Sequence, residues 1–268
     1  MSAARGDAPS AERATIEAVL LDVDGTLVDS NDAHAQAWSD ALREAGHEIG
    51  SETVRPLVGM GSDKLLPKLT GIDAESEEGK ALIERRTRIF AKEYLPTVRP
   101  FPKAREMLER LRADGFKLVV ATSASDDELR GLLRALGAEW LLDDATSSSD
   151  ADRSKPDPDI VRAAVDKAGV GPASCVMIGD TPYDVAAATR SGVRIIGLRC
   201  GGWGDEDLKG AIAIHDDPVD LLARYDEGEL FGGFGTRRPR ETAEGGQASA
   251  GMREGESGNE DSLHVDGA

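Results

Sequence analysis

An apolar run, residues 16–21, leads the chain into Asp22-Val23-Asp24-Gly25-Thr26. Two residues separated by one in an extended chain project to opposite faces. Gly25 lets the backbone leave the strand and turn, so that both carboxyl groups can serve one pocket. Carboxyl groups so placed suit nucleophilic attack by one and proton transfer by the other. A second acidic pair closes Val176-Met177-Ile178-Gly179-Asp180-Thr181-Pro182-Tyr183-Asp184, again directly after an apolar run. Taken alone, Asp180 is better explained as the cap of a helix starting near Pro182. Hydroxyl groups gather where the run 117–122 ends, at Thr122, Ser123 and Ser125, and any of them can equally cap a helix at 126. Lys155 lies in Ser154-Lys155-Pro156-Asp157-Pro158-Asp159, a frame that proline stiffens on either side of the acid.

These groups need elements to position them. Strong apolar runs at 16–22, 117–122, 174–178 and 193–198, with weaker ones at 140–145 and 211–215, alternate with helical patterns at 103–113, 126–136, 158–168 and 183–190. Continuous apolar strands alternating with helices predict a parallel sheet covered on both faces, an α/β, Rossmann-like, doubly wound core. Ligands bind beyond the carboxyl ends of such strands, where the polar residues above fall. One stretch departs from the alternation. Residues 31–98 carry helical spacing at 34–45, 52–58, 63–69 and 75–94, with Gly and Pro between and no strong strand. The expectation is a small all-helical cap domain over 29–98, inserted into a core made of 15–28 and 99–225. Arg99-Pro100-Phe101-Pro102 serves as the return linker.

Four fixed positions in D-x-D-G-T arise by chance at on the order of 10⁻⁵ per site. The motif after a buried strand resembles the nucleophile motif of the haloacid dehalogenase-like superfamily. Leu27-Val28-Asp29-Ser30 follows it as in members with a helical cap after the first strand, the branch of phosphoglycolate phosphatases and beta-phosphoglucomutases. The resemblance spans residues 15–223. It implies that Asp22 attacks phosphorus to form an aspartyl-phosphate, while Asp24 protonates the leaving alcohol and later deprotonates water. Ser123 then binds phosphoryl oxygens, and Lys155 is a point charge for phosphate and nucleophile. A carboxylate approaching a phosphate dianion needs a bridging cation, and Mg²⁺ accepts oxygen ligands from few protein groups. By resemblance the metal takes Asp22, the backbone carbonyl of Asp24, and Asp180. Asp184 holds a metal water or orients the lysine.

Fifty Asp and Glu stand against 32 Lys and Arg, a formal charge of −18. Nucleic acid and anionic membranes would be repelled, and an anionic substrate needs local neutralisation. Cys175 and Cys200 are in no C-x-x-C spacing, so neither zinc nor a disulfide framework is indicated. The first apolar run is too short for a signal sequence or a membrane span. A cytoplasmic protein is expected, a monomer or weak homodimer, acting on a small phosphorylated metabolite. Residues 1–14 read as a loose lead-in. The tail from 226, rich in Gly and Glu, reads as disordered, although Leu230-Phe231-Gly232-Gly233-Phe234 has the composition to dock.

Specificity is expected in the cap. Gly59 and Gly61 permit unusual backbone angles in Val58-Gly59-Met60-Gly61-Ser62-Asp63-Lys64, and Lys64 is the candidate for a substrate anion. A plain helix start capped by Ser62 or Asp63 explains the same residues equally well. His34 lies four before Trp38 on one helix face, suited either to line the pocket or to pack. Asp29 and Ser30 suit a hinge or a helix cap. The rival enzyme is a sugar phosphomutase, which returns the phosphoryl group to its substrate. A dehalogenase needs neither Asp24 nor Asp180, and a phosphonate-cleaving member needs a Schiff-base lysine in the cap. Outside enzymes, the rival is a regulatory protein that binds a phosphorylated metabolite.

Overall fold

The computed structural model describes residues 15–226. The lead-in 1–14 and the tail beyond 226, including Leu230–Phe234, lie outside the described residues. In chain order the elements begin with β1 (Ala18–Leu21) and a short β2 (Val28–Asp29). A helical stretch follows: α1 (Asn31–Glu44), α2 (Ser51–Val54), α3 (Ser62–Thr70) and α4 (Glu77–Ile89), with a π turn at Phe90–Tyr94. The chain returns through β3 (Arg99–Pro100) and α5 (Ala104–Ala113). It then alternates through β4 (Lys117–Ala121), α6 (Asp126–Leu136), β5 (Asp144–Thr146), α7 (Asp159–Ala168), β6 (Cys175–Gly179), α8 (Pro182–Arg190), β7 (Arg194–Leu198), β8 (Ala213–His215) and α9 (Pro218–Asp226).

Six strands form one parallel sheet in the order β5-β4-β1-β6-β7-β8. The period-two alternation of β1 divides its side chains between two cores. Val19 and Leu21 face Met107, Leu108 and Leu132. Ala18 and Leu20 face Ile160, Val161, Ala187 and Ala188. Both faces of β1 are therefore dry, which is why its sequence is continuously apolar. Because β1 lies between β4 and β6, strand order reverses there, and such a switch point opens a crevice at the carboxyl edge. In register, Leu21 is level with Val120 on β4 and with Ile178 on β6. The residues that follow, Asp22, Thr122–Ser123 and Asp180, emerge side by side.

The helical stretch has an apolar cluster of its own, with Trp38, Leu42, Val54, Leu65, Leu66 and Leu82. Ala37 and Phe90 join the main core instead and tie this layer to the sheet. The expected helices are present, and the segment expected over 75–94 is a helix from Glu77 to Ile89 that widens into a π turn at Phe90–Tyr94. The return linker pairs with the outgoing chain: Val28 opposes Pro100 and Asp29 opposes Arg99 in an antiparallel two-residue ribbon. Strands this short carry no readable period, so the pairing was not predicted. Lys64 and Asp63, on the first turn of α3, engage Asp157 and the backbone N–H of Ser154. Among the described residues no helix is long and apolar enough to cross a membrane.

Candidate active site

At the end of β1, Asp22 is 5 % exposed, and its backbone N–H donates to the Ile178 carbonyl at 3.0 Å. Gly25 takes φ +76°, a left-handed angle, and a Cβ there would sit 2.0 Å from the Asn31 amide and 2.3 Å from Asp180. Only glycine turns the chain this tightly against the neighbouring strand end. Lys155 crosses beneath the turn and is 1 % exposed. Its Nζ lies 2.5 Å from Asp22 Oδ1 and 2.7 Å from Asp184 Oδ1. Burial alone would lower the lysine pKa, but Asp184 and Asp22 more than offset this and hold it charged.

Asp22, Asp180 and Asp184 are all buried, and each offers an oxygen within 4.8 Å of the others. Burial pushes the Asp22 carboxyl up to about 7, and the charges of Asp184 and Asp24 add to this against Lys155. Burial, then Asp22 and Asp184, also raise Asp180 well above the ordinary carboxylate range. Three acids share one lysine in a dry site, so a hard divalent cation is what the donor set lacks. Asp180 is oriented by Asn31 Nδ2 at 3.0 Å and Thr26 Oγ1 at 3.0 Å. Asp184 closes a capping box at the start of α8, accepting from the Thr181 N–H at 3.0 Å and from Thr181 Oγ1 at 2.6 Å. The cap of that helix is thus Thr181, and Asp180 is left to the cluster.

The Asp24 carboxylate turns the other way and does not join the three acids. Ser30 Oγ donates to its Oδ1 at 2.5 Å, and His34 Nε2 lies 2.7 Å from the same atom. Ser30 stands at the N-cap position of α1 but spends its hydroxyl on Asp24 and makes no cap bond. Arg86 Nη2 lies 2.5 Å from His34 Nδ1. Arginine only donates, so Nδ1 accepts and Nε2 carries the hydrogen that Asp24 accepts. Burial pushes the Asp24 pKa up, but His34, Ser30 and the Arg86 charge outweigh it and hold Asp24 below the usual carboxylate range. Arg86 is paired in turn with Glu128 on α6, and His34 stacks on Phe90 with ring centroids 4.0 Å apart.

A cleft enclosing about 510 Å³, counting the part open to solvent, runs from Asp22 and Asp24 up to the helices. Ser123, Thr122, His34, Trp38, Gly59 and Gly61 line it. The three hydroxyl candidates are separated here. Ser125 caps α6 in a capping box with Glu128, and Thr122 Oγ1 accepts from the Ala124 N–H at 3.1 Å. Ser123 faces the cleft, its Oγ accepting from the Lys155 N–H at 3.4 Å. His34 and Trp38 both line the cleft while packing against helical neighbours. Lys64 does not come to the site: it is ion-paired with Asp157 and is absent from the lining. Of the two readings of Lys64, an anion ligand or part of a plain helix start, this arrangement favours the second. Sequence reasoning missed Asn31, Arg86 and Glu128, and read Ser30 as a hinge or cap where it bonds Asp24. Asn31 follows the D-x-D-G-T motif closely, but nothing in spacing links Arg86 to Glu128 and His34, 42 and 52 positions away.

Carboxylates, a buried lysine and hydroxyl groups meet at the switch point of a parallel sheet in a Rossmann-like α/β fold. The profile of the haloacid dehalogenase-like hydrolases matches residues 16–192, and the chain belongs to that family. It is similar to the phosphoglycolate phosphatase of Nitrosospira multiformis, 32% identical over 186 residues that cover 67% of this chain and 82% of that protein. Among solved structures it resembles a hydrolase from Pseudomonas syringae, with TM-score 0.73 and 30% identity over 79% of this chain and 98% of that one. It also resembles CbbY from Rhodobacter sphaeroides in complex with phosphate, with TM-score 0.65 and 26% identity over 79% of this chain and all (100%) of that one.

Proposed function

We propose that this chain is a Mg²⁺-dependent phosphatase acting on small phosphorylated metabolites through an aspartyl-phosphate on Asp22. The observation that carries the reading is the position of Asp22, whose carboxylate opens on the cleft while Lys155 holds its Oδ1 from behind at 2.5 Å. Asp22, Asp180 and Asp184, directly or through water, and the Asp24 carbonyl would hold Mg²⁺, which when bound supplies charge neutralisation for nucleophile and phosphate together. A carboxylate oxygen of Asp22 attacks phosphorus, and the P–O bond to the alcohol breaks. The departing alkoxide takes a proton from Asp24, which has to be loaded with a proton for this step against the pull of His34, Ser30 and Arg86, and Ser123 with Lys155 binds the phosphoryl oxygens. Asp24, now a carboxylate backed by His34 and Ser30, removes a proton from water. That water attacks phosphorus and restores Asp22. Helices α1–α4, residues 29–98 as a cap, exclude bulk water during the first step and admit it for the second.

Replacing Asp22 by Asn keeps shape and removes the attacking charge. Hydrolysis of an aryl phosphate should fall by roughly 10³-fold or more with the fold unchanged by circular dichroism. Retention of more than about a tenth of the wild-type turnover would remove Asp22 from the role.

A further inference from the structure

The cleft says something about the alcohol that leaves. Among the described residues, Arg86 is the one Lys or Arg in its lining. That charge is already met: Arg86 is ion-paired with Glu128, their side chains 8% and 6% exposed, and its Nη2 faces His34. The nearest lysine of the helical loop, Lys64, is held by Asp157. Beyond the phosphoryl end the wall therefore has no net positive charge to offer. A carboxylate or second phosphate brought there would stand near Glu128 and Asp24 with its own charge uncompensated, an expensive arrangement in a desolvated site. The rest of that wall is Trp38, Leu65, Val58 and Met60, with the hydroxyl of Ser62 among them. Arg86 Nε is a buried donor with no acceptor among the described residues, and a neutral oxygen satisfies it without adding charge.

Resting on the phosphatase reading, we infer that the site selects monophosphate esters of neutral, hydroxyl-bearing alcohols with an apolar face, of the polyol or sugar class. It discriminates against leaving groups that carry a second anion. The Arg86–Glu128 pair sets this preference by cancelling the one Lys or Arg charge in the cleft lining among the described residues.

The test uses the full chain with Mg²⁺ and three substrates of known charge: sorbitol 6-phosphate, 2-phosphoglycolate and fructose 1,6-bisphosphate. An aryl phosphate serves as control for the chemistry. The kcat/KM for sorbitol 6-phosphate should exceed that for either competitor bearing a second anionic group by about tenfold or more. If the aryl phosphate is hydrolysed but phosphoglycolate or the bisphosphate matches the polyol ester, the inference is overturned and the phosphatase reading stands. If the aryl phosphate is not hydrolysed, the phosphatase reading itself falls and takes the inference with it. Glu128→Gln leaves Arg86 uncancelled. It should raise the phosphoglycolate-to-sorbitol-phosphate ratio of kcat/KM by about tenfold, and an unchanged ratio in a folded variant would overturn the role given to the pair. The wild-type ratios decide the inference even where that variant does not fold.

Discussion

At the scale of single residues, two acids close in sequence have opposite electrostatics. Asp22 is pushed up to about 7 by burial and by Asp184 and Asp24, whereas Asp24 is held low by His34, Ser30 and Arg86 once burial is offset. An acid whose pKa is raised in the fold carries a proton at lower pH, and a cation must displace it. The folded site is most at ease below the unfolded carboxyl pKa, and that advantage is lost as pH rises from about 4 through about 7. Mg²⁺ should therefore bind more tightly at pH 8 than at pH 6, by about tenfold or more, with release of at least one proton. Titration calorimetry in two buffers of different ionisation enthalpy reads that proton, and the Tm increment from Mg²⁺ should grow over the same range. Affinity independent of pH would contradict the environment assigned to Asp22. Asp24 is held as a carboxylate, the form that accepts a proton from the attacking water. Asp24→Asn should give a burst of released phenol from an aryl phosphate, followed by slow turnover with phosphoenzyme accumulating. In the wild type, phosphate release should keep pace with phenol. Conversion of a hexose 1-phosphate to its 6-phosphate faster than phosphate release would identify a phosphomutase.

At the scale of elements, two helices begin with the same device and serve different ends. Ser125 and Thr181 each form a capping box, with Glu128 and with Asp184 respectively. Removing either hydroxyl should cost about 1 kcal/mol of stability in urea unfolding. The consequences then diverge. Thr181 Oγ1 fixes Asp184 Oδ2 at 2.6 Å, so Thr181→Ala should also weaken Mg²⁺ binding several-fold, measurable by calorimetry. Ser125→Ala should leave the Mg²⁺ Kd near wild type, because Glu128 faces Arg86 and not the acid cluster. Equal effects of the two changes on Kd would show that the caps do not position the site.

At the scale of the whole molecule, the charge of −18 and the chemistry pull in opposite directions. A phosphate ester is repelled by the chain's overall field and attracted only close in, where Lys155 stands beneath Asp22. Salt screens the long-range part more than the contacts within a desolvated site. Raising ionic strength from about 10 mM to about 150 mM should therefore increase kcat/KM for a phosphate dianion by roughly two- to fivefold, Mg²⁺ being saturating. A fall in kcat/KM would mean that a local positive field governs capture. Gly and Glu dominate the composition of the tail, and deletion from about residue 236 should leave Tm and kinetic constants near wild type.

The amino-acid order by itself determined the alternation of buried strands and helices, the helical stretch after the first strand, and the acids, hydroxyl and lysine that meet at the sheet edge. These are legible because β1, β4 and β6 are buried on both faces, so their apolar runs end abruptly at the polar residues that follow. Local spacing also placed Thr181 and Asp184 within one turn, although it left open which acid capped the helix. Only the tertiary structure decided that Asp180 points to Asn31 and Thr26, that Ser125 is spent on the cap of α6 and Thr122 Oγ1 on the Ala124 N–H while Ser123 lines the cleft, and that Lys64 goes to Asp157. The chain from Asp24 through His34 and Arg86 to Glu128 joins β1, α1, α4 and α6 across the packed layers. Apart from Asp24, each of its members is an ordinary polar residue of an amphipathic helix when read locally. What selects them is desolvation: once buried, each must find a partner, and the partner comes from whichever element the fold packs alongside.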